Sequence, residues 1–255
     1  MSRLVALLTD FGTDDPYAGQ VAAVLAANSD AQIVSLTHGV PAHHVQLGAS
    51  IVDASLALLP TGGVLLAVVD PGVGTERRGL IMRRDDRWLV GPDNGLLTPT
   101  RGDIQCWSID RPETWRDTVA PTFHARDIFA PIAARLANYE RPDWLGSTVQ
   151  DPVRVERPSA CPDGPNIRGE VIHVDAFGNL ITNIRAALVQ TAHMLETRVG
   201  DARVQGLATT YGTGHEPVAL IGSWNLLEIA VPGGSAAQRL GCRIGDVVTV
   251  KRTDD

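Results

Sequence analysis

Lysine is nearly missing from this sequence of 255 residues, because Lys251 is the single copy and arginine carries almost all of the positive charge. A Schiff-base lysine and the lysine of a phosphate-binding P-loop are therefore excluded ahead of the C-terminal tail. Aromatic residues are also scarce, at 5%. Alanine, valine and leucine must consequently fill most of the core.

Cysteine and long apolar runs are also in short supply. Cys106, Cys161 and Cys242 are far apart, and their spacing fits neither a zinc site nor a disulfide framework, which indicates a reducing compartment. No run approaches the roughly 18 apolar residues of a membrane span. The first residues lack the apolar core and cleavage site of a signal peptide. These features predict a cytoplasmic protein without a membrane segment.

The charge balance is acidic. The 22 basic and 29 acidic residues give a formal net charge of −7. Such a chain has no electrostatic footprint for nucleic acid or for an anionic membrane. A small cationic ligand stays compatible with this balance.

Two domains are expected from the pattern of apolar segments. Short apolar strands alternate with helices through residue 140, which predicts an α/β N-terminal domain with a largely parallel central sheet over residues 1–150. Residues 151–167 are rich in proline and are predicted to be a linker. Short β-type runs follow, which predict a smaller all-β C-terminal domain over residues 168–255. Within it, residues 233–237 could begin a short helix with Ser235 as its N-cap.

Several acidic residues stand where predicted strands end. Asp10, Asp70 and Asp93 each follow an apolar strand, and the carboxyl ends of parallel strands are where α/β proteins bind ligands. Arg77 could pair with Asp70, and His124 precedes a predicted helix, where it could act as an acid or base. The alternative is that the aspartates are ordinary turn residues and that His124 is a surface histidine.

Three histidines, His38, His43 and His44, suggest a metal site near Asp10, but they lack a sustained ligand spacing such as H-E-x-x-H. In the second half, Asp175, Phe177 and Asn179 offer a carboxylate, an aromatic face and an amide within five residues. This set suits an amino group and a purine edge, although a plain β-turn with Gly178 at positive φ is the alternative.

Taken together, the motifs occur in an order that resembles one family, the S-adenosyl-L-methionine (SAM) hydroxide adenosyltransferases, which are adenosine-forming SAM hydrolases related to the bacterial fluorinase and chlorinase. The resemblance spans nearly the whole chain and rests on these segments: Thr9-Asp-Phe-Gly12, residues 68–78, Gly91-Pro-Asp-Asn-Gly95, residues 123–129, Asp175-Ala-Phe-Gly-Asn179 and residues 223–237. The segment from residue 71 to residue 87 is too short for the loop insertion of the halogenases, and Trp224 stands where they have arginine.

The resemblance implies a role for each matched residue. Asp10 matches the carboxylate that binds the ribose hydroxyls, and the network of Asp70, Arg77 and His124 is credited with holding and activating water. In the C-terminal domain the resemblance implies these substrate contacts: Asp175 with the methionine ammonium, Asn179 with the adenine, and Ser223, Glu228 and Val231 along the ligand. It also implies a homotrimer with sites between the N-terminal domain of one subunit and the C-terminal domain of the next.

The expected reaction is attack of water or hydroxide at C5′ of SAM, which releases adenosine and L-methionine. A sulfonium substrate becomes a neutral thioether leaving group, so alignment matters more than a strong acid, and neither a metal nor an organic cofactor is required. Two alternatives stay open: a calcium-dependent nucleoside hydrolase, suggested by the acidic residues from Asp10 to Asp15, and a non-catalytic adenosine-binding module. Leu8 stands where that hydrolase family has a further aspartate.

Overall fold

A computed structural model describes residues 3–98, 104–189 and 194–253. The chain divides into two units, 1–156 and 157–255, and the division lies within the proline-rich segment. Each unit has its own buried core. Among the described residues, no helix has both the length and the apolar character needed to cross a membrane.

Within the described part of the N-terminal unit, seven strands form one sheet and three α-helices accompany it. In chain order the elements are β1 (Leu4–Thr9), α1 (Tyr17–Asn28), β2 (Gln32–Thr37), α2 (Val45–Leu56), β3 (Val64–Val68), β4 (Gly79–Arg84), β5 (Arg87–Pro92), β6 (Gln105–Ser108), α3 (Ala130–Ala137) and β7 (Thr148–Val149). The strand order across the sheet is β2-β1-β3-β5-β4-β6-β7.

This sheet is mixed, so the prediction of a largely parallel sheet is wrong in that detail. Strands β2, β1, β3 and β5 run parallel, whereas β4, β6 and β7 pair antiparallel. The physical reason is the two-residue connection between β4 and β5, where Asp85 and Asp86 have φ of 49° and 57°. Two positive φ values make a tight hairpin turn, and a turn of that length joins only antiparallel strands.

The core lies on both faces of the sheet because β3 is apolar at every position and β1 at every position except Thr9. Alternate side chains of β1 point to opposite faces: Val5 and Leu7 pack with α1 and α3, while Ala6 and Leu8 pack on the α2 side. Strands buried on both faces are typical of sheets covered by helices. The arrangement places the carboxyl ends of β1, β3 and β5 side by side at one edge.

The C-terminal unit is β-rich, but two short helices correct the prediction of an all-β domain. Its elements are β8 (Cys161–Asp163), β9 (Asn166–Val174), β10 (Leu180–Arg185), α4 (Ala186–Val189), β11 (Met194–Val199), β12 (Ala202–Gln205), β13 (Val218–Ile221), β14 (Leu226–Ala230), α5 (Ala236–Leu240) and β15 (Val247–Thr253). Helix α5 begins at an N-cap, Ser235, whose side chain accepts a hydrogen bond from the Gln238 N–H. Such a cap satisfies one of the unpaired N–H groups that start a helix.

Antiparallel pairing joins the strands of this unit in the order β12-β11-β15-β9-β10-β14-β13, and β8 adds to β9. The segment after β12 returns to β13, where the N–H of Ala208 donates to the Ala219 carbonyl over 2.8 Å. The sheet is therefore nearly closed into a barrel. One apolar cluster fills it, including Val171, Ile229 and Val250.

Candidate functional site

Asp70 and Arg77 form a forked ion pair at the carboxyl end of β3. The Nε of Arg77 donates to both carboxylate oxygens of Asp70, at 2.9 and 3.1 Å, and Nη2 donates to Oδ2 at 2.5 Å. The two side chains are only 7% and 12% exposed. A fork of this kind fixes the plane and direction of a carboxylate, as a single-point contact does not.

His124 joins this pair through the same guanidinium. Nη2 of Arg77 lies 3.0 Å from Nδ1 of His124. Since arginine can only donate, Nδ1 must accept, which leaves the proton of a neutral imidazole on Nε2. Burial and the nearby Arg77 charge lower the pKa of His124 below its ordinary value. The neutral form is therefore favoured, and its Nε2–H is available as a donor.

Glycine 74 allows the two loops that carry these residues to meet. Gly74 has φ of +78°, and a Cβ built there would lie 2.6 Å from the carbonyl oxygen of Pro121. The turn after β3 thus lies directly against the loop that leads into His124. A side chain at position 74 would push these loops apart.

The helix that follows His124 starts with a π-turn over Ala125–Phe129 and continues into α3. Asp127 anchors that turn: it is fully buried and accepts hydrogen bonds from the Ala120 N–H at 2.9 Å and from both Nε and Nη2 of Arg126. Turns of this type recur at functional sites, where they re-aim side chains. Asp127 therefore holds both sides of the loop that presents His124.

Asp10 stands at the end of β1 beside a different loop. Its Oδ2 accepts the N–H of His43 at 2.9 Å, and His43 has φ of 65°. The preceding Thr9 is buried, and its hydroxyl is 2.9 Å from Nδ1 of His38. Nε2 of His38 in turn contacts the hydroxyl of Ser35 at 2.9 Å. One Asp10 oxygen, Oδ1, is left for a ligand among these contacts.

The three histidines of this loop have separate structural tasks. His38 binds Thr9 and Ser35, the His43 backbone binds Asp10, and the His44 ring caps α2 by accepting the Leu47 N–H. Within residues 3–98, 104–189 and 194–253, no group of three or more histidine, cysteine, aspartate and glutamate side chains is placed to hold a metal ion.

Asp93, at the third strand end, is part of the scaffold. It is buried, and it accepts hydrogen bonds from Arg78 Nε and from the Val153 N–H, both at 2.8 Å. Nη1 of Arg78 also forms an ion pair with Oδ1 of Asp151, at 3.0 Å. Asp93 therefore ties the segment after β7 to the sheet.

An aromatic cluster was not foreseen from the sequence. Phe11, Tyr17 and Phe123 pack edge to face with ring centroids 5.4–6.2 Å apart, and Arg126 lies 4.7 Å above Phe123. The sequence offered one signal for this cluster: Phe11 directly follows Asp10 and Phe123 directly precedes His124, and both neighbours are predicted site residues. The cluster gives the strand edge an apolar wall beside its charged groups.

In the C-terminal unit, Asp175 and Asn179 are brought together by the turn between β9 and β10. Oδ1 of Asp175 accepts the N–H groups of Phe177 and Asn179, and Oδ2 accepts the Asn179 side-chain amide, all at 2.9 Å. Gly178 has φ of +85°, as the turn alternative expects. Phe177 is exposed, whereas Asn179 is buried. The carboxylate thus organises its own turn.

The hairpin of β13 and β14 carries the remaining predicted residues. Ser223 is exposed in the hairpin turn, next to Trp224, whose ring stacks on His173 with centroids 5.6 Å apart and 4° between the planes. Glu228 is buried on β14 and accepts a hydrogen bond from Tyr211 at 2.8 Å. Val231 is buried just after β14, and its carbonyl accepts the Gly234 N–H.

An α/β sheet with a carboxylate, guanidinium and imidazole network at its strand ends, followed by a β-rich unit, defines a two-unit protein with an enzyme-like polar site. Comparison with known families gives the particular one. The model of the SAM hydroxide adenosyltransferase N-terminal domain matches residues 5–146, and the model of the C-terminal domain of the same family matches residues 169–249. The chain belongs to the SAM hydroxide adenosyltransferase family, as its motifs predict.

Individual relatives agree with this assignment. The (R)-S-adenosyl-L-methionine hydrolase of Thermus thermophilus is 41% identical over 257 residues, which cover 95% of this chain and 97% of that protein. A crystal structure of an uncharacterized conserved protein from Thermotoga maritima superposes with a TM-score of 0.91 at 31% identity and covers 97% of this chain and 100% of the other. The fluorinase of Nocardia brasiliensis is 28% identical over 71% of each chain, which confirms the predicted relationship to fluorinases.

Proposed function

We propose that this protein hydrolyses SAM to adenosine and L-methionine by attack of a water oxygen at C5′. One observation carries the proposal: the guanidinium of Arg77 binds Asp70 and His124 at the same time. Membership of the SAM hydroxide adenosyltransferase family supports the substrate and the reaction.

The network suits a water molecule that must lose a proton as it attacks. Nε2–H of His124 can donate to the water oxygen, which leaves a second lone pair of that oxygen free for C5′. The Asp70 carboxylate, oriented by Arg77, can accept the proton. General-base assistance of this kind contributes about 10²–10⁴-fold to a rate.

The bond changes balance without any further reagent. The C5′–O bond forms, the C5′–S bond breaks, and its electron pair goes to sulfur, which changes from a sulfonium to a neutral thioether. The water proton passes to Asp70 and then to solvent. Because charge is lost at sulfur, the step depends mainly on in-line alignment and on a partly desolvated nucleophile.

We assign the alignment of the substrate to the remaining predicted site residues. We propose that Oδ1 of Asp10 binds the ribose diol. The residues proposed to contact the substrate from the C-terminal domain are Asp175, Asn179, Ser223, Glu228 and Val231. In this proposal the protein is a homotrimer in which two different subunits supply these two sets of residues. Analytical ultracentrifugation with and without adenosine tests the trimer, and a monomeric active species would contradict it.

Product analysis in water enriched in heavy oxygen tests the reaction. Purified protein incubated with SAM is expected to give methionine and adenosine labelled at the 5′ oxygen, and the Asp70→Ala variant should lose most of this turnover while still binding adenosine. Release of free base and ribose from added adenosine, abolished by a chelator, would identify a nucleoside hydrolase instead. Tight adenosine binding without any turnover would identify a binding module.

A further inference from the structure

Tyr211 reaches a buried carboxylate from an exposed loop. Its phenol donates to Oε1 of Glu228 over 2.8 Å. Tyr211 lies between β12 and β13 and is 45% exposed, whereas Glu228 on β14 is 5% exposed. A buried carboxylate needs such a donor because burial removes the water that would otherwise bind it.

The second oxygen of Glu228 is open. Among the hydrogen bonds of the residues that the structure describes, Oε1 accepts one from Tyr211 and Oε2 accepts none. A Cβ at Gly222 would lie 2.2 Å from Oε2. The missing side chain at position 222 therefore provides the space that the Glu228 carboxylate occupies at the base of the hairpin.

The pKa of Glu228 depends on its hydrogen-bond donor, Tyr211, and on a neighbouring charge. Burial raises the pKa of Glu228, the Tyr211 hydrogen bond lowers it, and the negative charge of Asp175 raises it again. The same hydrogen bond contributes most to raising the pKa of Tyr211 to about 12, so the phenol stays protonated and continues to donate. Asp175 itself already accepts three hydrogen bonds from its own turn. Of the two carboxylates, Asp175 and Glu228, it is therefore Glu228 that has an oxygen without a hydrogen bond among the described residues.

We propose that Tyr211 is a positioning residue that holds Glu228 so that Oε2 accepts a hydrogen bond from an N–H group of the substrate. The inference rests on the SAM hydrolysis proposed above. SAM carries such donors in two places, the α-ammonium and the adenine amino group. Both are N–H donors, and substrates that lack one or the other distinguish them.

The central experiment is the Tyr211→Phe variant, measured in steady state with SAM from mildly acidic to mildly alkaline pH. Loss of a hydrogen bond to a charged group is expected to raise KM about tenfold while kcat changes little. The pH below which KM rises should move to a higher value, because Glu228 loses the contact that lowers its pKa. Tyr139→Phe, which removes the hydroxyl of an exposed tyrosine after α3, is the matched control.

A second variant keeps the phenol and disturbs the carboxylate. Gly222→Ala should displace Oε2 and raise KM for SAM by a similar factor, and thermal melting of both variants reports any general loss of folding. The rise in KM should disappear with a SAM analogue that lacks the α-amino group, or else with one whose base lacks the exocyclic amine. The analogue that abolishes the effect identifies the donor.

An equal effect on SAM and on both analogues would overturn the proposal, as would a KM in Tyr211→Phe that equals the wild-type value at every pH. These outcomes differ from failure of the proposed function. If the wild-type protein does not cleave SAM, the reaction is wrong. If the wild-type protein cleaves SAM and Tyr211→Phe behaves like it, only the role of Tyr211 is wrong.

Discussion

Arg77 donates a hydrogen bond to Nδ1 of His124 over 3.0 Å, although 46 residues separate them in the chain. Nδ1 can accept only in the neutral ring, so the contact sets the tautomer of His124 as well as its position. Both consequences can be measured.

Arg77→Lys should lower kcat about 10²-fold, because a lysine ammonium cannot form the fork to Asp70 and reach His124 together. KM for SAM should change little, since Arg77 is assigned to water and not to the substrate. Steady-state kinetics measures both constants. Arg83→Lys is the matched control, because Arg83 forms an exposed pair with Asp86. A tenfold rise in KM with normal kcat would contradict this role.

The pH dependence should follow His124. Burial and then the Arg77 charge lower the pKa of His124 below its ordinary value of 6.5. As the pH falls through that lowered pKa, the ring gains a proton at Nδ1 and can no longer accept from Arg77. The value of kcat is therefore expected to be constant at neutral pH and to fall only on the acid side.

Arg77→Gln should shift this acid limb to higher pH, since the positive charge that disfavours the protonated ring is gone. Profiles of kcat, which reports the groups of the enzyme–substrate complex, make the comparison between wild type and variant. His215→Gln, which changes an exposed histidine, should leave the limb in place. A limb at the same pH in both Arg77 forms would show that another group titrates.

Asp10→Asn should raise KM for SAM about tenfold, because a hydrogen bond from the ribose to a charged acceptor becomes a neutral one. An SAM analogue without the 2′ and 3′ hydroxyls should bind wild type and variant alike. Asp14→Asn tests a neighbouring exposed carboxylate and should have no effect. If Asp10→Asn weakens both substrates equally, Asp10 supports the loop around His43 and not the ribose.

Asp127→Asn should destabilise the fold by about 3 kcal/mol, since it breaks a buried charge pair whose Arg126 partner is partly exposed. The loop that presents His124 should loosen as well, so kcat should fall in the surviving folded protein. Denaturant unfolding measures the stability. Asp86→Asn, at an exposed pair with Arg83, should cost less than about 1 kcal/mol.

The elements of the N-terminal unit could be largely predicted from local pattern. Apolar runs identify β1 and β3, and the hairpin around Asp85 and Asp86 follows from its turn residues. That hairpin makes β4 and β5 antiparallel, but the further antiparallel strands β6 and β7 were missed, because the pattern of a buried strand does not report the direction of its neighbour. In the C-terminal unit the start of α5 follows from its N-cap, Ser235, whereas α4 was missed because a segment of four residues has too little periodicity to detect.

Among the site residues, the sequence by itself determined the chemical types: carboxylates at strand ends, a nearby arginine, a histidine before a helix and a Gly-containing turn after β9. The ordered motifs also determined the family. Only the tertiary structure decided which carboxylates belong to the candidate site and which hold the scaffold together. Asp70 meets Arg77 and His124, whereas Asp93 binds Arg78 and the Val153 backbone, although both aspartates follow apolar strands in the same way.

The physical reason is that a hydrogen bond depends on distances between atoms that the chain brings together from far apart. Gly74 against Pro121 and Tyr211 above Glu228 are contacts of this kind. Local sequence sets backbone preference and burial, which are properties of a short segment. Which donor reaches which acceptor, and therefore which proton each group holds, is decided only when the segments pack.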